Sequence, residues 1–304
     1  MLYSQQYGKV ISSLGWVDKA GLWVYDNITD KAETITLSNA NYIVLFAGCN
    51  GYFSVLHVFD NAIEITVHHF GDPTYILSKV AFNSFGVSLD KTLWKNVPQY
   101  YVADFSVDND FDTHLVKIGE ENIVLQGDKT EWYRKGNYDF MYQGLSSVTQ
   151  YFDELIFTVQ RDGSLYRFSL KENKLLQKIV LAGNHGNPVP HFGDRLIWTV
   201  DYDTLVQVSV KDWSVVKTKK LQGAEKGVAH FIGELSLNSD RSLCVVPRPF
   251  AGDVITLNEN LKVKRRCILG KQPLQAVALD DQIIARDWKT GELLKGKLKK
   301  FFFF

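Results

Sequence analysis

Apolar and polar residues alternate along many short segments of this 304-residue chain. In the two clearest segments, one side of an extended backbone would carry Tyr166, Phe168 and Leu170, or Val206, Val208 and Val210. A period of two residues is typical of a β-strand, whereas a helix repeats its apolar positions every three to four residues. A polar turn rich in Asp and Gly precedes each alternating segment, and a second polar turn, KENK or KDWS, follows it. The pattern therefore predicts a chain built from short antiparallel β-strands.

The strand pattern recurs along the second half of the chain. Copies begin at Leu155, Leu196, Leu243 and Ile283, so their spacing is 40 to 47 residues. Each copy holds an apolar run, a polar turn and an alternating run, then a second turn and a third run, and a further short strand precedes it. Four antiparallel strands in a repeat of this length are the pattern of one β-propeller blade. We therefore expect an all-β fold, a β-propeller, with one domain over residues 1–300 and an aromatic tail at 301–304.

The first half of the chain follows the pattern less regularly. We interpret Leu22–Leu37 as the last hairpin of one blade and Tyr42–Phe70 as three further strands, whereas 82–142 shows no regular spacing. Dividing the chain length by the repeat length favours seven four-stranded blades, with six and eight left open. The last copy is too short for a whole blade. We therefore expect the N-terminal segment 2–13 to supply its missing outer strand, which would place both termini in one blade.

Three stretches carry a resemblance to known repeats. RDGSLYRFSL (Arg161–Leu170) and DWKTGELLKG (Asp287–Gly296) are similar to repeats of the WD40, YVTN and quinoprotein-like propeller superfamilies. NSDRSLCVV (Asn238–Val246) resembles a step in YVTN-type blades. The GH and WD dipeptides of WD40 blades do not occur in the sequence. The resemblance implies the propeller architecture and points to no particular family or activity.

Composition limits the class of partner and the compartment. The residues are 45% hydrophobic and 13% aromatic, and 34 basic residues balance 34 acidic ones. Proteins that bind nucleic acid usually carry a basic excess, so no nucleic-acid partner is expected. The cysteines, Cys49, Cys244 and Cys267, form no closely spaced pair, which favours a reducing compartment. Because no apolar run reaches the roughly 20 residues of a transmembrane helix and the N-terminus lacks a signal-peptide pattern, we expect a cytoplasmic protein.

A histidine pair lies in HGNPVPHFGD, between two copies of the repeat. His185 and His191 have acidic neighbours, and imidazole and carboxylate groups both bind zinc. Their spacing in a segment rich in Pro and Gly fixes no ligand geometry, however. The repeat places this segment between the outer strand of one blade and the inner strand of the next, where proline prevents stray strand pairing. We therefore predict that His185 and His191 lie on a loop where a partner binds, with a zinc site as the alternative.

Three aspartates in SVDNDFD form an acidic cluster. Asp108, Asp110 and Asp112 have the alternate spacing with which carboxylates converge on calcium. An EF-hand loop starting at Asp108 would need Gly at its sixth position and Glu at its twelfth, where the chain has Thr113 and Gly119. An acidic surface loop is the preferred interpretation, and the three aspartates are kept as metal-ligand candidates. We expect no bound metal and no cofactor.

Two tryptophans occupy polar turns rather than strands. Trp213 lies in KDWS and Trp288 in DWKTG. Exposed aromatic side chains on loops are favoured anchors for protein partners, whereas buried ones would pack between neighbouring blades. We predict Trp213 and Trp288 as binding residues, with packing as the alternative. The tail KGKLKKFFFF also leaves two alternatives, contact with a membrane surface and packing on the protein itself.

The familiar motifs of catalysis are absent from the sequence. It contains no GxSxG, P-loop, HExxH or paired CxxC motif. We therefore expect a monomeric, non-catalytic module that binds a protein partner. One alternative is a glycan-binding or glycan-cleaving propeller, in which cleavage would need two carboxylates facing each other. The other is an immunity or inhibitor protein directed at one toxin or enzyme.

Overall fold

The computed structural model describes residues 1–13, 21–40, 42–47, 51–59, 63–82, 100–107, 110–117, 123–124, 145–159, 164–180, 195–200, 203–221, 232–238 and 242–300. Within these ranges the regular structure is β-strand, apart from one 3₁₀ turn at Pro249–Ala251. The predicted all-β class is therefore confirmed. No helix in the described ranges has the length and apolar character needed to cross a bilayer.

The described strands form seven antiparallel sheets, of which four lie in the first 180 residues. The first sheet has the order β1 (Leu2–Ser4), β2 (Lys9–Ser13), β3 (Gly21–Asp26) and β4 (Lys31–Thr36). The second has the order β5 (Tyr42–Ala47), β6 (Tyr52–Val58), β7 (Ile63–His69) and β8 (Asp72–Phe82). The third contains β9 (Tyr100–Val107), β10 (Asp110–Lys117), β11 (Ile123–Val124) and β12 (Leu145–Ser147), in the order β11, β10, β9, β12. The fourth has the order β13 (Thr149–Tyr151), β14 (Glu154–Val159), β15 (Ser164–Ser169) and β16 (Lys174–Val180).

The other three sheets follow in the second half of the chain. The fifth consists of β17 (Arg195–Val200), β18 (Thr204–Ser209) and β19 (Val215–Lys220). The sixth has the order β20 (Ser236–Leu237), β21 (Cys244–Arg248), β22 (Asp253–Leu257) and β23 (Val263–Ile268). The seventh consists of β24 (Pro273–Leu279), β25 (Gln282–Asp287) and β26 (Leu293–Lys297), and a final strand, β27 (Lys299–Lys300), joins the sixth sheet beside β23.

The chain divides into two compact units, Leu37–Leu181 and the combination of Met1–Thr36 with Ala182–Phe304. In the first unit, Phe157 and Tyr166 stack with their ring centroids 5.4 Å apart in a buried cluster. Leu165, on the opposite face of β15, is also fully buried. The middle strands therefore have both faces covered, as expected for a sheet that packs between neighbours.

In the second unit, adjacent sheets share a core. The sixth and seventh sheets are joined by one buried cluster of Val245, Val254, Cys267, Ala276, Ala278, Ile283, Ala285, Leu294 and Leu298. Small side chains let these sheets approach closely. A Cβ atom at Gly296 would collide with the Sγ of Cys267, so glycine is the residue that fits on this face of β26.

The two ends of the chain belong to different sheets. β1 pairs with β2, with Leu2 opposite Ile11, in a sheet that is already four strands wide. β27 pairs with β23, with Lys299 opposite Arg266. The strand pairing therefore differs from the predicted blade shared by both termini. The reason is that the turn at Gly8, where φ is +62°, folds β1 back onto β2.

The first and seventh sheets nevertheless pack against each other. They share a buried cluster of Val10, Trp23 and Tyr25 with Val277, Leu279 and Ile284. The amino group of Met1 donates to the Oε2 of Glu234 at 3.2 Å. Lys295 pairs with Asp30, and its Nζ lies 4.6 Å from the centroid of the Tyr25 ring. The N-terminal sheet is thus held in place by contacts with the C-terminal one.

Candidate functional site

The two tryptophans predicted as binding residues have different environments. Trp213 is 8% exposed and lies in the turn between β18 and β19, where its φ is +57° and its N–H donates to the carbonyl of Ser209 at 2.9 Å. Trp288 is 43% exposed, in the turn between β25 and β26. Burial favours the packing alternative for Trp213, whereas Trp288 offers an accessible ring to a partner.

Trp288 is one half of an exposed aromatic pair. Phe250, which is 38% exposed, lies in the 3₁₀ turn between β21 and β22. The centroids of the two rings are 5.9 Å apart and their planes meet at 83°, an edge-to-face contact. We call Phe250 and Trp288 the aromatic pair. Nothing in the repeat pattern singled out Phe250, although its position between Pro249 and Gly252 marks a turn.

The Trp288 turn is fixed by the carboxylate of Asp287, which is 3% exposed. Its Oδ1 accepts hydrogen bonds from the N–H groups of Lys289 at 2.9 Å and Thr290 at 2.8 Å, and its Oδ2 accepts one from Gln272 at 2.9 Å. The N–H of Trp288 donates to the carbonyl of Gln272 at 2.7 Å. Burial raises the pKa of Asp287, but these hydrogen bonds outweigh it and leave the pKa below its usual value. An ionised carboxylate therefore fixes the backbone of the turn that carries Trp288.

The Phe250 turn is tied to the same connection between β23 and β24. Gly252 ends the turn at a φ of +65°, and its N–H donates to the carbonyl of Pro249 at 3.2 Å. The N–H groups of Leu269 and Gly270 both donate to the carbonyl of Gly252, at 2.9 and 3.0 Å. The connection therefore bonds to both aromatic turns, which makes the aromatic pair a preorganised feature.

A buried carboxylate braces the strands next to the Phe250 turn. Asp253 is 0% exposed and accepts from Nε and Nη2 of Arg248 at 2.7 and 2.6 Å. The Nε of Arg266 donates to the same carboxylate at 2.5 Å. Two guanidinium groups therefore satisfy one buried charge across β21, β22 and β23, as a buried carboxylate requires.

Charged and apolar groups on and beside this connection complete the surface. The Nζ of Lys271 lies 2.7 Å from the Oε2 of Glu292 in an exposed ion pair. Ile268, at the end of β23, is 70% exposed. We call the aromatic pair, Lys271, Glu292 and Ile268 the loop surface. Its apolar centre with nearby charges is the composition of a protein-binding patch.

The other predicted site residues lie elsewhere or outside the described residues. His185, His191 and Asp108 fall in the undescribed ranges. Asp110 and Asp112 are in β10, opposite Val107 and Phe105 in the strand ladder. The described part of the aspartate motif is therefore the start of a hairpin strand. Within the described residues, no three His, Cys, Asp or Glu side chains are grouped so that they could hold a metal ion.

A shallow cavity of about 320 Å³ lies in the Leu37–Leu181 unit. Its described lining residues are Tyr52, His69, Asp72, Tyr75 and Leu77. The His69 and Tyr52 rings meet at 64° with centroids 4.9 Å apart. Tyr75 is 59% exposed. The cavity thus offers aromatic rings beside one carboxylate, a combination suited to an uncharged polar ligand. Sequence reasoning did not identify it.

Comparison with known proteins gives similarity at the level of fold. No protein-family model matches the chain, and neither does any curated protein sequence. Among solved structures, the chain is similar to the β-propeller domain of Cps50 (Swd1) from Myceliophthora thermophila, with a TM-score of 0.64, 12% identity and coverage of 98% of this chain and 95% of that one. Sqt1 of Saccharomyces cerevisiae gives a TM-score of 0.52 and 12% identity, with 94% and 81% covered.

Raptor of Chaetomium thermophilum is similar over part of its length. It gives a TM-score of 0.65 and 12% identity, with 98% of this chain covered but 27% of Raptor. These structures are β-propeller and WD40 proteins. The predicted propeller architecture is therefore confirmed as a fold, and identities this low carry no function across.

Proposed function

We propose that this chain is a single-domain, seven-bladed β-propeller that acts as a non-catalytic protein-binding module, and that the loop surface contacts its partner. The observation that carries the proposal is the aromatic pair, two accessible rings in edge-to-face contact on neighbouring turns. Aromatic side chains anchor many protein interfaces because they bury a large area with few rotatable bonds. The seven sheets of the described residues support the blade count.

Rigidity supports this choice of surface. Asp287 and the carbonyl of Gly252 hold the two turns through backbone hydrogen bonds, so little conformational entropy remains to be lost on binding. Similarity to propeller proteins is a second argument for the proposal, because such scaffolds generally present loops from several blades to a partner. We retain His185 and His191 as further proposed contacts, on the connection between β16 and β17.

The double variant Phe250→Ala/Trp288→Ala tests the proposal. We expect the tagged wild-type chain to recover a stoichiometric protein partner from its native cells. The variant should bind the purified partner at least about 30-fold more weakly, because truncating central aromatic anchors costs 2 kcal/mol or more. The matched control is Phe152→Ala, which removes another exposed aromatic side chain, 81% exposed, from the Leu37–Leu181 unit.

Two results would contradict the proposal: recovery of no stoichiometric partner, or equal affinity of the double variant and the control. The identity of the partner also decides the inhibitor alternative. An enzyme or toxin whose activity falls when the chain is added would assign the immunity role.

A compartment with reducing conditions is part of the proposal. The thiols of Cys244 and Cys267 are free and buried. Burial raises the pKa of Cys244 to about 12, so this thiol stays protonated and unreactive near neutral pH. Free, inert thiols are usual in cytosolic proteins. We therefore propose that the chain acts in the cytoplasm, as a monomer.

Glycan binding is the second candidate function, and the cavity beside Tyr75 favours it. Tyrosine rings stack on sugar rings, and a carboxylate such as that of Asp72 accepts hydrogen bonds from hydroxyl groups. Hydrolysis would need a second carboxylate, and Asp72 is the single one among the described lining residues. Binding on a glycan array that Tyr75→Ala abolishes would support this function. Equal binding by the variant would assign any glycan to another site.

A further inference from the structure

The outer edge of the sixth sheet is strongly basic although the whole chain has no net charge. Two segments provide the charge and contain no acidic residue: Lys262–Cys267, which carries Lys262, Lys264, Arg265 and Arg266, and the pair Lys299 and Lys300. The first includes most of β23, and the second forms β27, which pairs along the outer side of β23. Strand pairing therefore brings together basic segments that are distant in sequence.

The strand register places like charges directly opposite each other. Lys300 is opposite Arg265, and Lys299 is opposite Arg266. Like charges at opposed positions destabilise a strand pair. Arg266 is compensated by Asp253, but no acidic side chain among the described residues pairs with Arg265, Lys299 or Lys300. The isolated protein thus maintains a repulsive arrangement that an anionic partner would relieve.

The basic surface continues onto the neighbouring fifth sheet. The Nζ atoms of Lys217 and Lys219 in β19 donate to the carbonyls of Asn260 and Leu261, at 3.0 and 2.5 Å, in the turn that leads into β23. Burial, and after it the nearby charge of Lys217, lowers the pKa of Lys219. We define the basic strip as Lys217, Lys262, Lys264, Arg265, Lys299 and Lys300.

Exposed apolar residues accompany the basic strip. Val215 and Val216 in β19 are 42% and 44% exposed. In the sequence, four phenylalanines follow Lys300 directly. Basic residues interleaved with apolar ones are the composition of a surface that lies on a bilayer, with ammonium groups at the lipid phosphates and apolar side chains in the interfacial layer.

We propose that the basic strip binds the headgroups of anionic phospholipids and holds the protein on a membrane surface as a peripheral protein. The same charges would attract nucleic acid, but the adjoining apolar residues match a bilayer and find no counterpart along a phosphate backbone. The basic strip contains neither residue of the aromatic pair, so the vesicle experiment does not depend on recovery of the proposed protein partner.

Sedimentation with lipid vesicles tests the inference. We expect the full chain to bind vesicles of phosphatidylcholine mixed equally with phosphatidylserine and not to bind vesicles of pure phosphatidylcholine. Raising the salt concentration should dissociate the protein from the mixed vesicles, because salt screens the charges. The double variant Lys299→Glu/Lys300→Glu should bind the mixed vesicles at least about 25-fold more weakly, from roughly five-fold for each basic charge removed near an anionic surface. The matched control Lys171→Glu/Lys211→Glu changes the net charge equally at exposed lysines in other turns and should bind as the wild type does.

Thermal unfolding separates loss of binding from loss of fold. The same Lys299→Glu/Lys300→Glu exchange places Glu opposite Arg265 and Arg266, so its melting temperature should equal or exceed that of the wild type. Absence of binding to anionic vesicles, equal binding to neutral ones, or unchanged binding by the variant would overturn the proposal. So would tight binding of a labelled DNA or RNA duplex in an assay where the vesicles are not bound.

Discussion

A chain of buried hydrogen bonds links side chains of the second sheet. The Nδ1 of His68 lies 2.8 Å from the carbonyl of Pro73 and must donate to it, because a carbonyl can only accept. In a neutral imidazole the Nε2 of His68 then accepts from the Oγ1 of Thr66, at 2.7 Å. Thr66 in turn accepts from the Nε2 of His57 at 2.8 Å, and His57 Nδ1 accepts from Ser38 at 2.8 Å. Each hydrogen bond in this chain thus has one donor and one acceptor when both histidines are neutral.

This assignment predicts a stability that falls in mild acid. Burial lowers the pKa of His57 to about 4 and also lowers that of His68, whereas both would titrate near 6.5 in the unfolded chain. Below about pH 6.5 the unfolded chain therefore binds protons that the folded chain does not, and the free energy of unfolding decreases as the pH falls towards 4. Urea unfolding at about pH 7 and about pH 5 measures this decrease, which should be smaller in His57→Gln than in the wild type.

The control for this experiment is His69→Gln, which removes a histidine at the end of the neighbouring strand β7, outside the chain of buried hydrogen bonds. It should keep most of the wild-type pH dependence. If His57→Gln and the wild type lose equal stability between the two pH values, the neutral assignment of His57 is wrong.

Among the elements, aspartate-centred turns recur between strands. Asp26 in DNIT accepts hydrogen bonds from the N–H groups of Ile28 at 2.8 Å and Thr29 at 3.1 Å. Asp287 in DWKT does the same with the N–H groups two and three residues later. The Asp side chain forms such turns by accepting hydrogen bonds from backbone N–H groups a few residues later. An Asp at these positions therefore predicts from the sequence alone where the strands end. The contacts between sheets depend instead on residues distant in sequence.

Gly296→Ala is expected to destabilise the protein by about 2 kcal/mol or more. The new Cβ would collide with Cys267 Sγ and the Leu269 side chain, so β26 would have to move away from the sixth sheet. Thermal or urea unfolding measures the change. The control is Lys297→Ala on the same strand, whose side chain is 75% exposed and whose ion pair with Asp281 contributes less than about 1 kcal/mol. If Gly296→Ala lowers the free energy of unfolding by no more than Lys297→Ala does, the sixth and seventh sheets are not packed this closely.

At the scale of the whole molecule, the alternation of apolar residues and the spacing of repeats were enough to predict an all-β propeller. They could not predict that β27 pairs with β23, or that the N-terminal strand pairs with β2 instead of completing the last sheet. Pairing between distant segments leaves no periodic signal in the sequence. Trp288 was identifiable from its turn, whereas Phe250 was not. A turn sequence indicates backbone shape but not which side chains from two turns meet.

Polar residues inside the sheets were equally hard to predict. Thr66 occupies a polar position of the alternating strand β7, which periodicity assigns to solvent, yet it is 1% exposed. His57, its hydrogen-bond partner in β6, is 2% exposed. Both faces of these strands are buried, and hydrogen bonding between the polar side chains makes their burial tolerable.

Hydrogen–deuterium exchange on the complex with the recovered partner tests the central claim most directly. If the loop surface is the contact, binding slows exchange in peptides that cover the turns at 249–252 and 288–292 and the connection at 269–272, because their backbone N–H groups become shielded and less able to open. Exchange at the turn beside Phe152 should not change. Unchanged exchange in all three segments, with protection elsewhere in the chain, would contradict the account.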